Sequence, residues 1–502
     1  VLELSQDHLG QGACATTKAS DPANLLCGAR SLRGCAIIVT MGMESGGQHR
    51  LEPGDADDAS RLLFRTGVAF VLLIAASEVK FRLRSPQAAL HSSVDTQVAI
   101  ELLLWGAVGL WVLRRRAPGF LRSSGGPGRP RTRMSPRSGS ALQALRGVTV
   151  LAVVSSLYGG LNVAVVRAFQ IGVLVEFTVL TALVLHRWPQ AWEALLRGLR
   201  AALVVLIMAM TAVSLFISPP FYDPGTHVRR YRWLQMHPNA TASVLGLTVV
   251  VLSAELIPRL IRQEPVFAHR PGLVVAVLLS GTLLLMTRSR GAAAGVVVAV
   301  LLMAAVNAHR RLRLTIAATL AAGMCVIVLD PRLLLSSAVT RGQTVSDLTG
   351  LSGRSAIFSV ASHLVAQRPI QGYGYLATRG IFLTRIPWAG ESHNFLVEIL
   401  VSTGLVGLCV YANLLWRWHR DARSAHGLGD DETRSRVSLS VGLIAFILLF
   451  GFVDASFAGP PGVGPVTLCL AVLLVSVVKS AATPFRDRVV VPTSLGHPTI
   501  AR

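Results

Sequence analysis

The residues best suited to chemistry lie in a polar interruption of a very apolar chain, from Asp330 to His393. This stretch carries Arg332, Arg341, Arg354, Arg368, Arg379 and Arg385. It closes in GESHNFLVEILVSTGLVGL, so that His393 stands directly ahead of a new apolar run. A guanidinium is a rigid fork of donors that matches phosphate oxygens. An imidazole takes up a proton near neutral pH. A basic loop closed by a histidine at a membrane boundary therefore reads as a place for an anionic group beside a proton acceptor. A solvated loop whose arginines meet lipid headgroups accounts for the same residues.

The rest of the chain must hold this stretch at a membrane. The protein has 502 residues, 52% of them hydrophobic and only 15% charged, and a mean hydropathy of +0.55. Soluble domains rarely have that balance. The net charge of +22 is mostly arginine spread between apolar segments, which argues against nucleic acid as a partner because that needs a contiguous basic face. It fits the basic flanks of a multi-spanning membrane protein. Cys14, Cys27, Cys35, Cys325, Cys409 and Cys469 form no CxxC or metal knuckle, and no disulfide framework is implied.

The fold expected is an all-α polytopic membrane protein of about twelve spans, with a large extracytoplasmic loop before the tenth. The expected spans are about 62–79, 97–113, 147–165, 168–186, 199–218, 240–258, 272–287, 291–307, a ninth ending near 329, 394–416, 436–453 and 462–478. Arg167 is expected in a tight turn between the third and fourth. Arg417, Arg420, Arg423, Arg434 and Arg436 are expected in a basic turn after the tenth. Residues 1–60 read as a disordered cytoplasmic tail. The apolar run CAIIVTMGM within them is too short to span and lacks the order of a signal peptide. The chain begins at Val1; initiation at Met41 or Met43 would leave the residues ahead of it untranslated. The membrane domain is expected over 61–480. It includes a basic, Pro/Gly/Ser-rich cytoplasmic linker at 114–146 and an outer loop at 331–393. A cytoplasmic tail is expected at 481–502.

Placing the N-terminus inside puts the basic stretches 114–146, 187–198, 259–271, 308–311 and 417–435 in the cytoplasm, in accord with the positive-inside rule. KFRLR at 80–84 is the exception. Three arginine-bearing stretches then fall outside: RRYRW at 229–233, Arg288 with Arg290, and the long loop. External arginines run against the charge bias, and a lipid diphosphate in the outer leaflet would suit them. Pairing with Asp223, Asp330, Asp347 or Glu391, or contact with headgroups, is the structural explanation.

Four stretches resemble the O-antigen ligase and polymerase superfamily, which includes exopolysaccharide polymerases. They are RWLQMHPNATA (232–242), LLLMTRSRGA (283–292), LSGRSAIF through RPIQGYGY (351–375) and SHNFLVEILVSTGLVGL (392–408). The resemblance extends over about 60–480 and implies a glycosyltransferase of the bacterial inner membrane, acting at the outer face. Its donor would be a glycan on undecaprenyl diphosphate. Its acceptor would be a glycan or glycolipid, and membrane lipids and other polysaccharide assembly proteins would be its partners. The resemblance implies diphosphate contacts for Arg290 and Arg354 and the role of base for His393. Arg232, His237, Asn239, Tyr373, Tyr375, Asn394 and Glu398 are the further substrate-binding candidates. Ser402 stands where many relatives carry an acidic residue, whereas Glu398 is retained.

Chemistry supports the same assignment. In transfer from a diphosphate, negative charge builds on the leaving oxygens, where preorganised arginines stabilise it. A sugar hydroxyl becomes a good nucleophile when neutral histidine takes its proton. Direct attack would invert the anomeric centre. The outer stretches hold no DxD pair, so neither a metal nor a cofactor is expected. His237 precedes Pro238 and reads equally as a helix cap. The tyrosines of QGYGYL stack on sugars or anchor the interface, and TGLVG reads as close helix packing.

The core motifs suit a polymerase and a ligase alike; the GYGY and SGR pattern lies closer to the exopolysaccharide polymerases. A transporter or flippase for a glycan-bearing lipid is the reading from another class. It rests on Glu101, Glu176, Glu398 and Asp454 in or near spans, Glu176 foremost. No matched halves with broken helices accompany them.

Overall fold

In the computed structural model of the chain, the described residues are 53–79, 96–116, 140–159, 162–217, 221–222, 229–234, 236–308, 311–316, 318, 354–386, 389 and 391–486. They are almost wholly helical. In order the helices are α1 (Pro53–Glu78), α2 (Thr96–Arg116), α3 (Ser140–Tyr158), α4 (Asn162–Arg187), α5 (Trp192–Ile217), α6 (Pro238–Ile261), α7 (Val266–His269), α8 (Pro271–Met286) and α9 (Arg290–Asn307). They continue with α10 (Arg354–Gln367), α11 (Ala377–Arg385), α12 (Phe395–His426), α13 (Asp431–Gly451) and α14 (Val463–Arg486). A two-residue ribbon pairs Phe221 with Arg230 and Tyr222 with Arg229. Helix is the expected outcome for apolar runs in hydrocarbon, where every backbone group must find its partner within the segment.

Eight of the described helices are long and apolar enough to cross a membrane, which corrects the expected twelve. The second expected span forms as α2 but is not among the eight. The seventh appears as the shorter apolar helix Pro271–Met286, and the twelfth as the apolar part of α14, Val463–Val477. Most of the ninth lies outside the described residues, as do 1–52, KFRLR, 117–139, 319–353 and 487–502. α1 begins at Pro53, ahead of the boundary expected at 60.

Three local expectations are also corrected. Helix α3 ends at Tyr158, and Arg167 lies inside α4. Its charge is tolerated there because the guanidinium pairs with Glu101 of α2 and donates to Gln170 Oε1 at 2.9 Å. The basic turn after the tenth span is mostly helix. Arg417, Arg420 and Arg423 prolong α12, and Arg434 and Arg436 lie in the first turns of α13. The actual turn is short and ends at Asp430, whose carboxylate accepts from Thr433 N at 2.8 Å as the α13 cap.

TGLVG, finally, does not lie on a continuous helix. Gly404 has φ 62° and ψ −157°, a break inside α12. The segment before α11 docks into this break. Leu405 N donates to Pro369 O (2.9 Å), Tyr373 N to Val401 O (2.9 Å) and Gly374 N to Ser402 O (2.7 Å). A side chain at Gly404 would meet Ile370 O at 2.2 Å, so the position needs glycine for both conformation and space.

One end of the bundle gathers the start of α6, the α8–α9 turn, α10, α11, the start of α12 and the α13–α14 connection. The links there include Tyr231 N to Met286 O (2.9 Å), Tyr375 to Gly459 and Val463 N to Glu78 Oε1 (3.1 Å). The opposite end holds the starts of α1, α3, α5, α8 and α13. There Ser140 Oγ donates to Asp421, and Arg262 pairs with Asp431 at 2.7 Å. Trp105, Trp192, Trp233 and Phe70 are among the largest fully buried side chains.

Candidate active site

Three of the four sequence motifs meet on one short segment, Gly451–Asp454, where α13 ends. The α8–α9 turn reaches it first. Arg290 opens α9, with Ser289 as the residue before it. A carbon added at Gly291 would lie 1.9 Å from a methyl of Val453, so the turn carrying Arg290 rests directly on Val453. Arg354 arrives from α10: its Nη2 donates to Val453 O at 3.0 Å. The HN pair arrives from α12. Asn394 Nδ2 donates to Phe452 O at 3.3 Å, and the Phe395 and Phe452 rings meet edge to face at 5.1 Å. Sequence reading brought these motifs together only by resemblance. It missed the hub, because Val453 and Phe452 contribute backbone carbonyls and shape, which residue type does not announce.

Asn239 of the fourth motif, with Arg230 just ahead of that motif, locks the α8–α9 turn from the other side. Arg230, only 5% exposed, donates through Nε to Thr287 O (3.0 Å) and through Nη2 to Asn239 Oδ1 (3.1 Å). Ser289 Oγ donates to the same Asn239 oxygen at 3.2 Å. Asn239 thus ties α6 to the Arg290 turn. Half-buried Arg232 stands between Tyr231 and Trp233, which anchor the segment through a 2.9 Å bond from Trp233 Nε1 to the Tyr231 hydroxyl. His237 is exposed and caps α6, its Nδ1 accepting from Asn239 N at 3.2 Å. The capping reading therefore describes its placement.

His393 has φ 52°, the left-handed region that a residue with a Cβ rarely adopts. Asn394 makes this geometry rigid. Its Oδ1 accepts from Leu396 N (2.9 Å) and Val397 N (3.2 Å), capping α12 immediately after the histidine. The His393 Nδ1 atom is buried and faces Glu391 Oε1 at 3.4 Å, while the side chain as a whole is 24% exposed. Burial pushes its pKa below the ordinary histidine value; Glu391 opposes that shift, and the Arg354 charge adds to it. The shift favours the neutral ring. Burial likewise lowers the Arg354 pKa, against the favourable charges of Asp454 and Glu391.

Glu398, 2% exposed, lies one turn into α12 and is fully engaged. It accepts from Thr378 Oγ1, from Ser392 Oγ (2.9 Å) and N (3.4 Å), and from Ser402 Oγ (3.3 Å). It braces the loop that carries His393. Tyr375 is buried and donates to Gly459 O at 2.9 Å, an anchoring role. Tyr373 donates to Gln367 Oε1 at 2.8 Å, and Arg368 stacks over its ring at 4.8 Å. The membrane carboxylates have structural partners: Glu101 pairs with Arg167, and Glu176 with Arg146 at 3.1 Å.

A family model described as O-Antigen ligase matches residues 275–412. This segment takes in most of α8, all of α9 to α11 and the first half of α12, and so Arg290, Arg354 and His393. It excludes the Arg230–Asn239 segment and the Gly451–Asp454 hub. No curated protein matches the chain. Over 275–412 the chain is similar to O-antigen ligases. With the spanning helices, this supports a polytopic membrane enzyme that handles lipid-linked glycans.

Proposed function

We propose that the protein transfers a glycan from undecaprenyl diphosphate to a sugar hydroxyl at the extracytoplasmic face, in surface polysaccharide synthesis. The observation that carries this reading is the meeting of the Arg290 turn, Arg354 and the His393–Asn394 pair on Phe452 and Val453. Arg290 and Arg354 hold the diphosphate. Because Nδ1 of His393 is buried against Glu391, Nε2 is the nitrogen that meets the acceptor. The acceptor O–H proton passes to Nε2 as the hydroxyl oxygen bonds the anomeric carbon. The bond from that carbon to the diphosphate oxygen breaks, and the lipid diphosphate leaves with the electron pair. The attack inverts the anomeric centre.

His393→Ala tests the assignment. Transfer is expected to fall by ~10²-fold or more, with binding of undecaprenyl diphosphate little changed. Transfer at near the parent rate would place the base elsewhere. Repeating the assay with one defined lipid-linked repeat unit separates the two acceptor classes. Chain growth marks a polymerase, and growth only after a second acceptor is added marks a ligase. The partnered state of Glu101 and Glu176 gives no support to the transporter reading.

The orientation proposed puts 331–393 outside and 114–146 in the cytoplasm. The end bearing Arg259, Arg262, Arg270, Arg417, Arg420 and Arg423 then faces the cytoplasm, as the positive-inside rule requires. Single introduced cysteines labelled from either side test it. Labelling of the 331–393 loop from the cytoplasmic side alone would reverse the assignment.

A further inference from the structure

Between Met286 and Arg290 the chain turns from α8 into α9 in only three residues. The middle one, Arg288, has φ 52°, the left-handed region that a residue with a Cβ rarely adopts. A backbone set against its preferences persists only where the surrounding structure fixes it. Arg290 is the first residue of α9, so the direction in which its side chain leaves the backbone follows from how this turn is held.

Both flanks of Arg288 are gripped. Just ahead of it, Thr287 O accepts from Arg230 Nε at 3.0 Å. Just behind it, Ser289 Oγ donates to Asn239 Oδ1 at 3.2 Å. Arg230 joins the two grips, because its Nη2 donates to the same Asn239 oxygen at 3.1 Å. The backbone beside Arg230 adds a bond from Tyr231 N to Met286 O at 2.9 Å, and Ser289 N closes the turn on Thr287 Oγ1 at 3.2 Å. Thr287, Ser289 and Arg230 are all buried, where water competes little for these bonds. A guanidinium suits the place because its donors point in fixed, separate directions. One arm takes the carbonyl while another takes the amide oxygen. With 5% of its surface exposed, Arg230 is poorly placed to touch a ligand itself.

We infer that Arg230 is a positioning residue for Arg290: with Asn239 it clamps both flanks of the left-handed Arg288 and so sets the Arg290 guanidinium for the diphosphate. Arg230 acts through the turn and not on the ligand. On the far side the turn rests on Val453 through Gly291, so the clamp and the hub hold it between them. A side chain held in place before the anion arrives loses less freedom when it binds. The inference rests on the glycosyl-transfer reading for its choice of ligand, but the clamp itself is measurable without ligand or turnover.

The purified full-length protein in lipid nanodiscs is titrated with undecaprenyl diphosphate, and the affinity and the number of sites are read separately. Misfolding lowers the number of sites, whereas a misplaced Arg290 lowers the affinity of each. Arg290→Ala is expected to weaken binding by on the order of a hundredfold, the loss of a two-armed phosphate contact. Arg230→Lys keeps the charge but cannot span both oxygens. It is expected to weaken binding by on the order of tenfold at an unchanged number of sites, and Asn239→Ala to do the same. In the Arg290→Ala background, Arg230→Lys is expected to have no further effect. Unchanged affinity in Arg230→Lys, fewer sites at unchanged affinity, or an equal loss in both backgrounds overturns the positioning role. Amide exchange over 287–290 is the readout that needs no ligand, and it is expected to be faster in Arg230→Lys and Asn239→Ala than in the parent. Exchange unchanged in both overturns the clamp. A parent that does not bind the diphosphate, or an Arg290→Ala variant that binds it as tightly as the parent, overturns the donor reading; faster exchange in the two clamp variants then still keeps the clamp.

Discussion

The two ends of the helix bundle hold their arginines by different means. At the end proposed to face the cytoplasm, Arg200, Arg259 and Arg270 converge on Glu255. Arg262 and Arg434 share Asp431, and Arg436 pairs with Glu432. At the other end, the hydrogen bonds that fix Arg230 and Arg354 go to neutral oxygens: the carbonyls of Thr287 and Val453 and the amide of Asn239. A carboxylate partner cancels a guanidinium charge. A carbonyl orients the guanidinium without cancelling its charge, although at Arg354 the nearby charges of Asp454 and Glu391 favour it as well. The backbone tells the same story. Of the five described non-glycine residues with positive φ, Leu234, Arg288, Leu376 and His393 lie at the site end, and only Gln263 lies at the other. The division is not by end alone, because Arg167, on the site side, is paired with Glu101; what sets Arg230 and Arg354 apart is hydrogen bonding to neutral oxygens.

The comparison breaks most visibly if lysine serves equally well at both ends. Lysine keeps the charge and loses the fork. Arg290→Lys and Arg354→Lys are each expected to cost ~10²-fold in turnover of the lipid-linked donor, the scale of one lost transition-state donor. Arg262→Lys and Arg270→Lys, at the ion-paired end, are expected to leave turnover within about twofold, because surface pairs contribute little. Equal losses at the two ends would end the distinction.

A smaller effect sharpens it through pH. In the proposed mechanism the base is neutral imidazole, and burial holds the His393 pKa below the ordinary value. Turnover is therefore expected to be flat through neutrality and to fall only as pH drops through that lowered pKa. Glu391 raises the pKa, so Glu391→Gln should move the acid limb to lower pH. Arg354 lowers it, so Arg354→Ala should move the limb of the residual activity upward. A limb that neither change moves would dissociate the three groups.

Much of this site is legible in the sequence where residue type carries the chemistry. Arg290, Arg354 and His393 stand out as cations and a base beside apolar runs. What the sequence does not show is geometry made by backbone. The Phe452 and Val453 carbonyls are invisible to motif reading, and so is the space that Gly291 leaves for Val453. In RRYRW nothing distinguishes Arg230 from its neighbours. Its place comes from Asn239, nine residues on, and Thr287, 57 residues on. Arg167 resembled a turn because its partner Glu101 lies 66 residues earlier. Gly404 resembled helix packing because the segment that fills its break, from Pro369, comes from a different part of the chain. Asn394 resembled a ligand contact and His237 read equally as ligand or cap; both cap helices, a role that neighbouring backbone N–H groups decide.

The smallest effects test whether rigidity, like charge, is concentrated at the site end. Asn394 makes two bonds to the first turn of α12 and a third to Phe452 O. Asn394→Ala is expected to cost about 1 kcal/mol of stability, the usual loss for a cap. Arg262 and Asp431 sit at 2.7 Å with side chains 52% and 62% exposed. Their coupling in a double-mutant cycle is expected to be about 0.2–1 kcal/mol and to shrink with added salt. Reversible denaturant unfolding in mixed micelles measures both. Activity then separates them further. Without its cap, the left-handed backbone at His393 loses the structure that holds it, so Asn394→Ala should lower turnover beyond its effect on stability. Breaking the Arg262–Asp431 pair should leave turnover unchanged. If Asn394→Ala keeps full turnover at its reduced stability, the cap does not position the base, and Glu398 with its bonds to Ser392 becomes the brace to remove next.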